Sequence, residues 1–260
     1  MQVKANGISI NCQIDGPEGA PWVILSNSLL TNLSMWDGQA AALKDSFRVL
    51  RYDQRGHGGT QVTEGPYSFN LLVADVIGLM DALAIERANF VGLSMGGMTA
   101  LFLAQQHGAR FDHIVACDCG PNSTPASAQQ WQERIQLASE KGMEALADVT
   151  ISRWFPPDFV AGKSPVLDKM RAMITATPFK GFAGCAQALS DYDLRPGLAG
   201  INRPTLLVVG TKDATLPGIR QIKEAVPGAR LVELEGAGHI SNVEQPAAFT
   251  RAVRDFIANT

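Results

Sequence analysis

The sequence predicts an α/β fold: a mostly parallel sheet flanked by helices, with one helical cap insertion. Three observations predict it. Short, continuously apolar runs alternate with helical patterns, the order that builds parallel strands covered on both faces. One such run, Ala88-Asn89-Phe90-Val91, leads into Gly92-Leu93-Ser94-Met95-Gly96 and then an apolar helical pattern from Met98 to Gln106. From about Ser123 to Arg195 strand-like runs vanish, leaving helical patterns and proline-rich turns.

In chain order, Val3 to Ala5 and Ile8 to Ile14 flank Asn6-Gly7, a strong hairpin signal. Trp22 to Leu25 is a buried strand, followed by the polar loop Ser26-Asn27-Ser28. A helix is expected from near Trp36 to about Leu43, and Phe47 to Tyr52 reads as a strand. That strand ends in Asp53-Gln54-Arg55-Gly56-His57-Gly58-Gly59, too rich in glycine to be anything but a loop. Ser68 to Leu83 repeats apolar residues at helical spacing, with Ser68 as N-cap. Ile114 to Cys117 is a further strand. The inserted block predicts helices over Gln129 to Leu146 and Pro165 to Ala176. Alternation then resumes: strands at Thr205 to Val209 and Leu231 to Leu234, helices at Gly218 to Ala225 and Ala247 to Ile257. The expected organisation is a core domain of residues 1–122 and 196–260 with a helical cap of 123–195.

Composition limits the function classes. The 260 residues are 46% hydrophobic and 18% charged, which fits a soluble globular chain with a sizeable core. A net charge of −3 argues against nucleic acid or an anionic membrane surface as partner. No apolar run is long enough to span a bilayer and no signal-peptide pattern opens the chain, so a cytoplasmic location is expected. Cys12, Cys117, Cys119 and Cys185 are few and scattered, and read as buried thiols in a reducing compartment. Oligomeric state is not written in the sequence.

Gly-x-Ser-x-Gly between a strand and a helix exposes a serine hydroxyl at a sharp turn. The glycines at 92 and 96 avoid Cβ collisions there, and the Met95 N–H is left at a helix N-terminus. A serine needs a base to take its proton, and the base needs an orienting carboxylate. Of the four histidines, His107 closes a helix and His113 enters a strand. His57 lies in the glycine-rich loop and could approach the site. His239, in Gly236-Ala237-Gly238-His239, follows a strand and precedes the last helix, where open α/β sheets carry their active sites. For the acid, Asp213 ends the Val208-Val209-Gly210 strand, and Asp118 ends the preceding one; Asp213 is favoured because its loop immediately precedes that of His239. Phosphate-loop, dinucleotide-loop and metal-binding spacings are absent from the sequence, so neither metal nor organic cofactor is expected.

With these motifs the chain resembles the α/β-hydrolase superfamily over its whole length. Asp53-x-Arg55-Gly56-x-Gly58 and Gly238-His239-x-x-x-x-Glu244-x-Pro246 look like its loop signatures, and Ser94, Asp213, His239 follow its order of nucleophile, acid and histidine. The loop Leu25-Ser26-Asn27-Ser28-Leu29-Leu30 up to Trp36 is similar to that of the 3-oxoadipate enol-lactonase family, where most hydrolases of this fold carry His-Gly. Leu30 stands where glycine is expected. The resemblance implies hydrolysis of 3-oxoadipate enol-lactone to 3-oxoadipate, a step of the β-ketoadipate pathway of aromatic catabolism. It implies Ser94, Asp213 and His239 as catalytic triad, Leu29 and Met95 N–H groups as oxyanion hole, and no cofactor. The partner is a small anionic lactone, and its carboxylate calls for a cation. Trp131 with Arg134, three apart on a predicted helix, and Arg153 with Trp154 are the candidate pairs. The same triad would also serve a carboxylesterase, another lactonase or a carbon–carbon bond hydrolase, and the fold also occurs in non-catalytic small-molecule receptors.

Overall fold

In the computed structural model, which describes residues 1–258, the predicted hairpin opens the chain. Strands β1 (Gln2–Ala5) and β2 (Ile8–Asp15) pair antiparallel across Asn6-Gly7. Both turn residues are left-handed, with φ of 44° and 76°, as a two-residue turn matched to strand twist requires. The remaining strands are β3 (Trp22–Ser26), β4 (Arg48–Tyr52), β5 (Ala88–Leu93), β6 (Phe111–Cys117), β7 (Thr205–Gly210) and β8 (Arg230–Leu234). They complete one eight-stranded sheet of order β1-β2-β4-β3-β5-β6-β7-β8. β2 meets β4 antiparallel, and every pair from β4 to β8 is parallel.

Central strands β5 and β7 are buried at every residue, because helices cover both faces. On one side α1 (Asp37–Leu43) packs on α12 (Pro246–Ile257). On the other, α2 (Phe69–Ala82), α3 (Met95–His107), α9 (Arg195–Leu198) and α10 (Leu216–Ala225) form a contiguous group. The predicted Ser68 cap is in place, its side chain accepting from the Leu71 N–H. The short α11 (Ser241–Glu244) leads into α12. Among the described residues, no helix is long and apolar enough to cross a membrane. All four cysteines are buried free thiols.

Between β6 and α9 the chain is entirely helical: α4 (Pro125–Lys141), α5 (Glu144–Trp154), α6 (Pro157–Ala161), α7 (Pro165–Ala176) and α8 (Phe179–Ser190). The block leaves and returns at one place. Asn122 pairs with Asp193, Ser123 N–H donates to Tyr192 O at 2.8 Å, and Leu194 N–H donates to Pro121 O at 2.8 Å.

Two expectations need correcting here. The single helix expected over Gln129 to Leu146 is two, because Gly142 at φ 82° ends α4 and the chain restarts at Glu144. Helix α8 was not expected at all. Its glycines lower helix propensity, but they are packing residues: a Cβ on Gly181 would stand 1.9 Å from Gly56 O. Tertiary contact with the Asp53 to Gly59 loop overrides local preference. At the elbow, α3 begins at Met95, three residues before the apolar periodicity starts.

Candidate active site

β5 delivers Ser94 to its C-terminal end and α3 begins with the next residue. Ser94 is held at φ 57°, ψ −114°, a conformation non-glycine residues rarely adopt. The backbone around it enforces this geometry. Ser94 N–H donates to Cys117 O at 2.8 Å and Gly96 N–H to Asn27 O at 3.1 Å. A Cβ at position 92 would lie 1.9 Å from Gly96 O, and one at position 96 would lie 2.3 Å from Ser26 O. The two glycines therefore permit the tight crossing that aims the serine outward.

Three strand ends bring three side chains into one line. Ser94 Oγ is 2.9 Å from His239 Nε2, and His239 Nδ1 is 2.9 Å from Asp213 Oδ2. Asp213 also accepts from Thr215, through its N–H at 3.1 Å and its Oγ1 at 2.5 Å. Burial alone would raise the Asp213 carboxyl. The neighbouring His239 charge and the hydrogen bonds from His239 and Thr215 outweigh it and hold the carboxyl below its ordinary value. An ionised Asp213 fixes the tautomer with hydrogen on Nδ1, leaving the Nε2 lone pair facing Ser94. The histidine's own loop is tied down twice: His239 N–H donates to Trp154 O at 2.7 Å, and the Gly238 N–H meets both Glu244 oxygens at 2.9 and 3.0 Å. Burial pushes Glu244 up to about 7.

Asp118, the rival acid, is bonded elsewhere. It is fully buried, accepting from Gly210 N–H at 3.0 Å and from Ser241 Oγ at 2.5 Å. Burial, and then the charge of Asp213, push it well above the usual carboxylate range. It ties β6 to the end of β7 and to α11, and it makes no hydrogen bond to an imidazole. His57 does not reach Ser94 either; it is buried beneath the loop after β3. His113 bonds to Asn89 at 2.7 Å, away from the site.

Leu29 and Leu30 line the same cavity as Ser94 and His239. Among the described residues, the N–H groups of Leu29 and Met95 have no acceptor. They are the two donors the sequence predicts beside the serine, and they are free to bind an oxyanion.

The cavity measures about 430 Å³ and draws its other wall from the helical block, including Trp131, Arg134, Arg153 and Trp154. Arg134 lies with its guanidinium 4.6 Å from the centre of the Trp131 ring and donates to Thr150 Oγ1 at 2.8 Å. Its Nε is buried without an acceptor. Burial, and then the Arg153 cation, lower Arg134 to about 10, so it remains charged at neutral pH. Among the described residues, Arg153 hydrogen-bonds only to Gln130 Oε1, at 3.3 Å. Among the described residues, neither arginine has a carboxylate within ion-pair distance. Sequence reasoning missed Thr215 and Tyr192. Thr215 carries a readable signal, a hydroxyl two residues after the carboxylate it bonds. Tyr192 lines the cavity from the turn after the unexpected α8, and nothing in its local sequence marks it.

Comparisons with known proteins bear on the fold and the family. The family model described as alpha/beta hydrolase fold matches residues 21–246. 3-Oxoadipate enol-lactonase 2 of Acinetobacter baylyi is 38% identical over 96% of this chain and 94% of its own length. 3-Oxoadipate enol-lactonase 1 of the same organism is 36% identical over 99% and 96%. Among solved structures, the enol-lactonase from Burkholderia xenovorans LB400 superposes with a TM-score of 0.95 at 43% identity, covering 100% of both chains. An eight-stranded sheet of this order, a serine elbow on β5, and full-length likeness at these identities leave one conclusion: the chain belongs to the α/β-hydrolase family, alongside its enol-lactonases.

Proposed function

We propose that this chain is a serine hydrolase that opens 3-oxoadipate enol-lactone to 3-oxoadipate. The observation that carries the reading is the Ser94–His239–Asp213 line opening on a cavity that two carboxylate-free arginines also line. In it, Ser94 Oγ attacks the lactone carbonyl while His239 Nε2 takes the hydroxyl proton and Asp213 stabilises the imidazolium. Leu29 and Met95 N–H groups receive the oxyanion. Collapse breaks the ring C–O bond, and the leaving enol oxygen takes the proton from His239, then tautomerises to the ketone. Water, deprotonated by His239, attacks the acyl carbonyl, and 3-oxoadipate leaves with Ser94 restored. No metal or organic cofactor is needed for any step. Residues 123–195 act as a cap that supplies substrate contacts, with Trp131 and Trp154 as apolar walls. The same reading assigns the chain to the β-ketoadipate pathway of aromatic catabolism and to the cytoplasm.

Arg134 meets the substrate's free carboxylate in this reading, with Arg153 beside it. A charge-assisted hydrogen bond of this kind is worth about 1.5–3 kcal/mol, so removing it costs roughly ten- to over a hundredfold in kcat/KM. Arg134→Met keeps an apolar stem of similar reach and removes the cation. The expected result is that loss on the anionic enol-lactone and almost none on a neutral lactone or aryl ester of similar size. Equal losses on both would make Arg134 a structural support of the cap. No loss on either, with Arg153→Met also silent, would remove the case for an anionic substrate.

A further inference from the structure

Leu30 is the expected glycine position, and it adopts the glycine conformation without being one: φ is 64°, with the side chain fully buried. Thr31 N–H donates to Ser28 O at 3.3 Å, so Ser28 to Thr31 is a hydrogen-bonded turn with a positive φ at its third residue only. That is type II geometry, in which glycine is the usual third residue. Type I, which suits leucine, differs by a flip of the central Leu29–Leu30 peptide. Something must hold the unfavoured form.

His57 stands at that peptide. Its Nδ1 faces Arg55 O at 3.1 Å, a carbonyl that can only accept, so Nδ1 carries the hydrogen. Nε2 therefore offers a lone pair, and it takes the Leu30 N–H at 3.2 Å. The flipped peptide would instead turn the Leu29 carbonyl towards that lone pair. Burial lowers the ring's pKa, which favours the neutral form that can accept. Neighbours on the same loop brace the same segment: Asp53 Oδ1 accepts from Leu33 N–H at 2.7 Å, and Gln54 Nε2 donates to Asn27 O at 2.7 Å. Those two fix the ends of the segment, and among the described residues His57 alone hydrogen-bonds to the central peptide of the turn.

We infer that His57 is a positioning residue of the oxyanion hole: by holding the Leu30 N–H it anchors the Ser28–Thr31 turn, whose adjoining Ser28–Leu29 peptide presents the Leu29 N–H to the reacting carbonyl. The inference rests on the proposed role of Leu29, and it does not depend on which ester is the natural substrate. The test compares His57→Gln, whose Oε1 reaches the place of Nε2, with His57→Asn, whose oxygen is one bond too short. Both are assayed on p-nitrophenyl acetate, so that failure of the enol-lactone as substrate would leave this experiment standing. Binding of phenylboronic acid, which becomes a tetrahedral anion on Ser94, is measured beside it.

Misplacing an oxyanion donor costs roughly ten- to a hundredfold in turnover. His57→Asn is expected to lose that much kcat with KM changed by less than about threefold, since the ground state scarcely uses the hole. Boronate affinity should fall in step with kcat, and His57→Gln should recover kcat to within about fivefold of the unaltered chain. Equal activity of the two variants, a loss confined to KM, or unchanged boronate affinity beside a fallen kcat would overturn the inference. Failure of both variants to fold, read by near-ultraviolet circular dichroism, would make His57 a core-packing residue and overturn it as well.

Discussion

Ser94→Ala is expected to lower kcat on the order of 10⁴-fold or more while leaving the fold intact. Among the described residues, the side-chain oxygen of Ser94 bonds only to His239, at 2.9 Å, whereas the backbone tie to Cys117 that shapes the elbow survives the change. Alanine therefore inherits the same strained backbone and loses only the nucleophile. What remains is the oxyanion hole and the binding cavity acting on water, a residual rate far below turnover. Circular dichroism and a thermal melt establish folding, and turnover of an aryl ester reads the loss. A folded Ser94→Ala protein retaining a tenth of the activity would remove Ser94 from the reaction.

The two buried aspartates give the second large effect. Asp213→Asn should reduce kcat by roughly 10³–10⁴, because the neutral amide neither stabilises the imidazolium nor selects the tautomer with hydrogen on Nδ1. Asp118→Asn should cost no more than about tenfold, since Asp118 makes no hydrogen bond to His239 and an amide oxygen can keep one of its two bonds. The comparison is sharp because the residues are neighbours with similar burial, and of the two Asp213 alone bonds to His239. Reversed magnitudes would place the acid on β6.

Much of this site was legible in the sequence because its constraints are local. Gly92 and Gly96 mark a backbone crossing, Ser94 lies between them, and His239 and Asp213 each follow a recognisable strand. Alternating apolar runs sufficed for the parallel sheet. What escaped was determined by distant contacts. Helix α8 exists because its glycines seat it on the Asp53 to Gly59 loop, a relation between segments more than a hundred residues apart. Leu30 reads as a departure from pattern, and only the structure shows His57 reaching across to hold its peptide. Likewise, Asp118 and Asp213 look equivalent as strand-end carboxylates. Their hydrogen-bond partners, Ser241 and Gly210 for one and His239 and Thr215 for the other, separate them.

The most direct measurement is turnover of 3-oxoadipate enol-lactone by the unaltered chain, followed as loss of the lactone's ultraviolet absorbance with 3-oxoadipate identified as product. The account predicts rapid, enzyme-dependent loss, abolished in Ser94→Ala and much faster than hydrolysis of neutral lactones of similar size. Loss no faster than the spontaneous rate, beside ready hydrolysis of simple aryl esters, would contradict the proposed substrate and leave a serine esterase in its place.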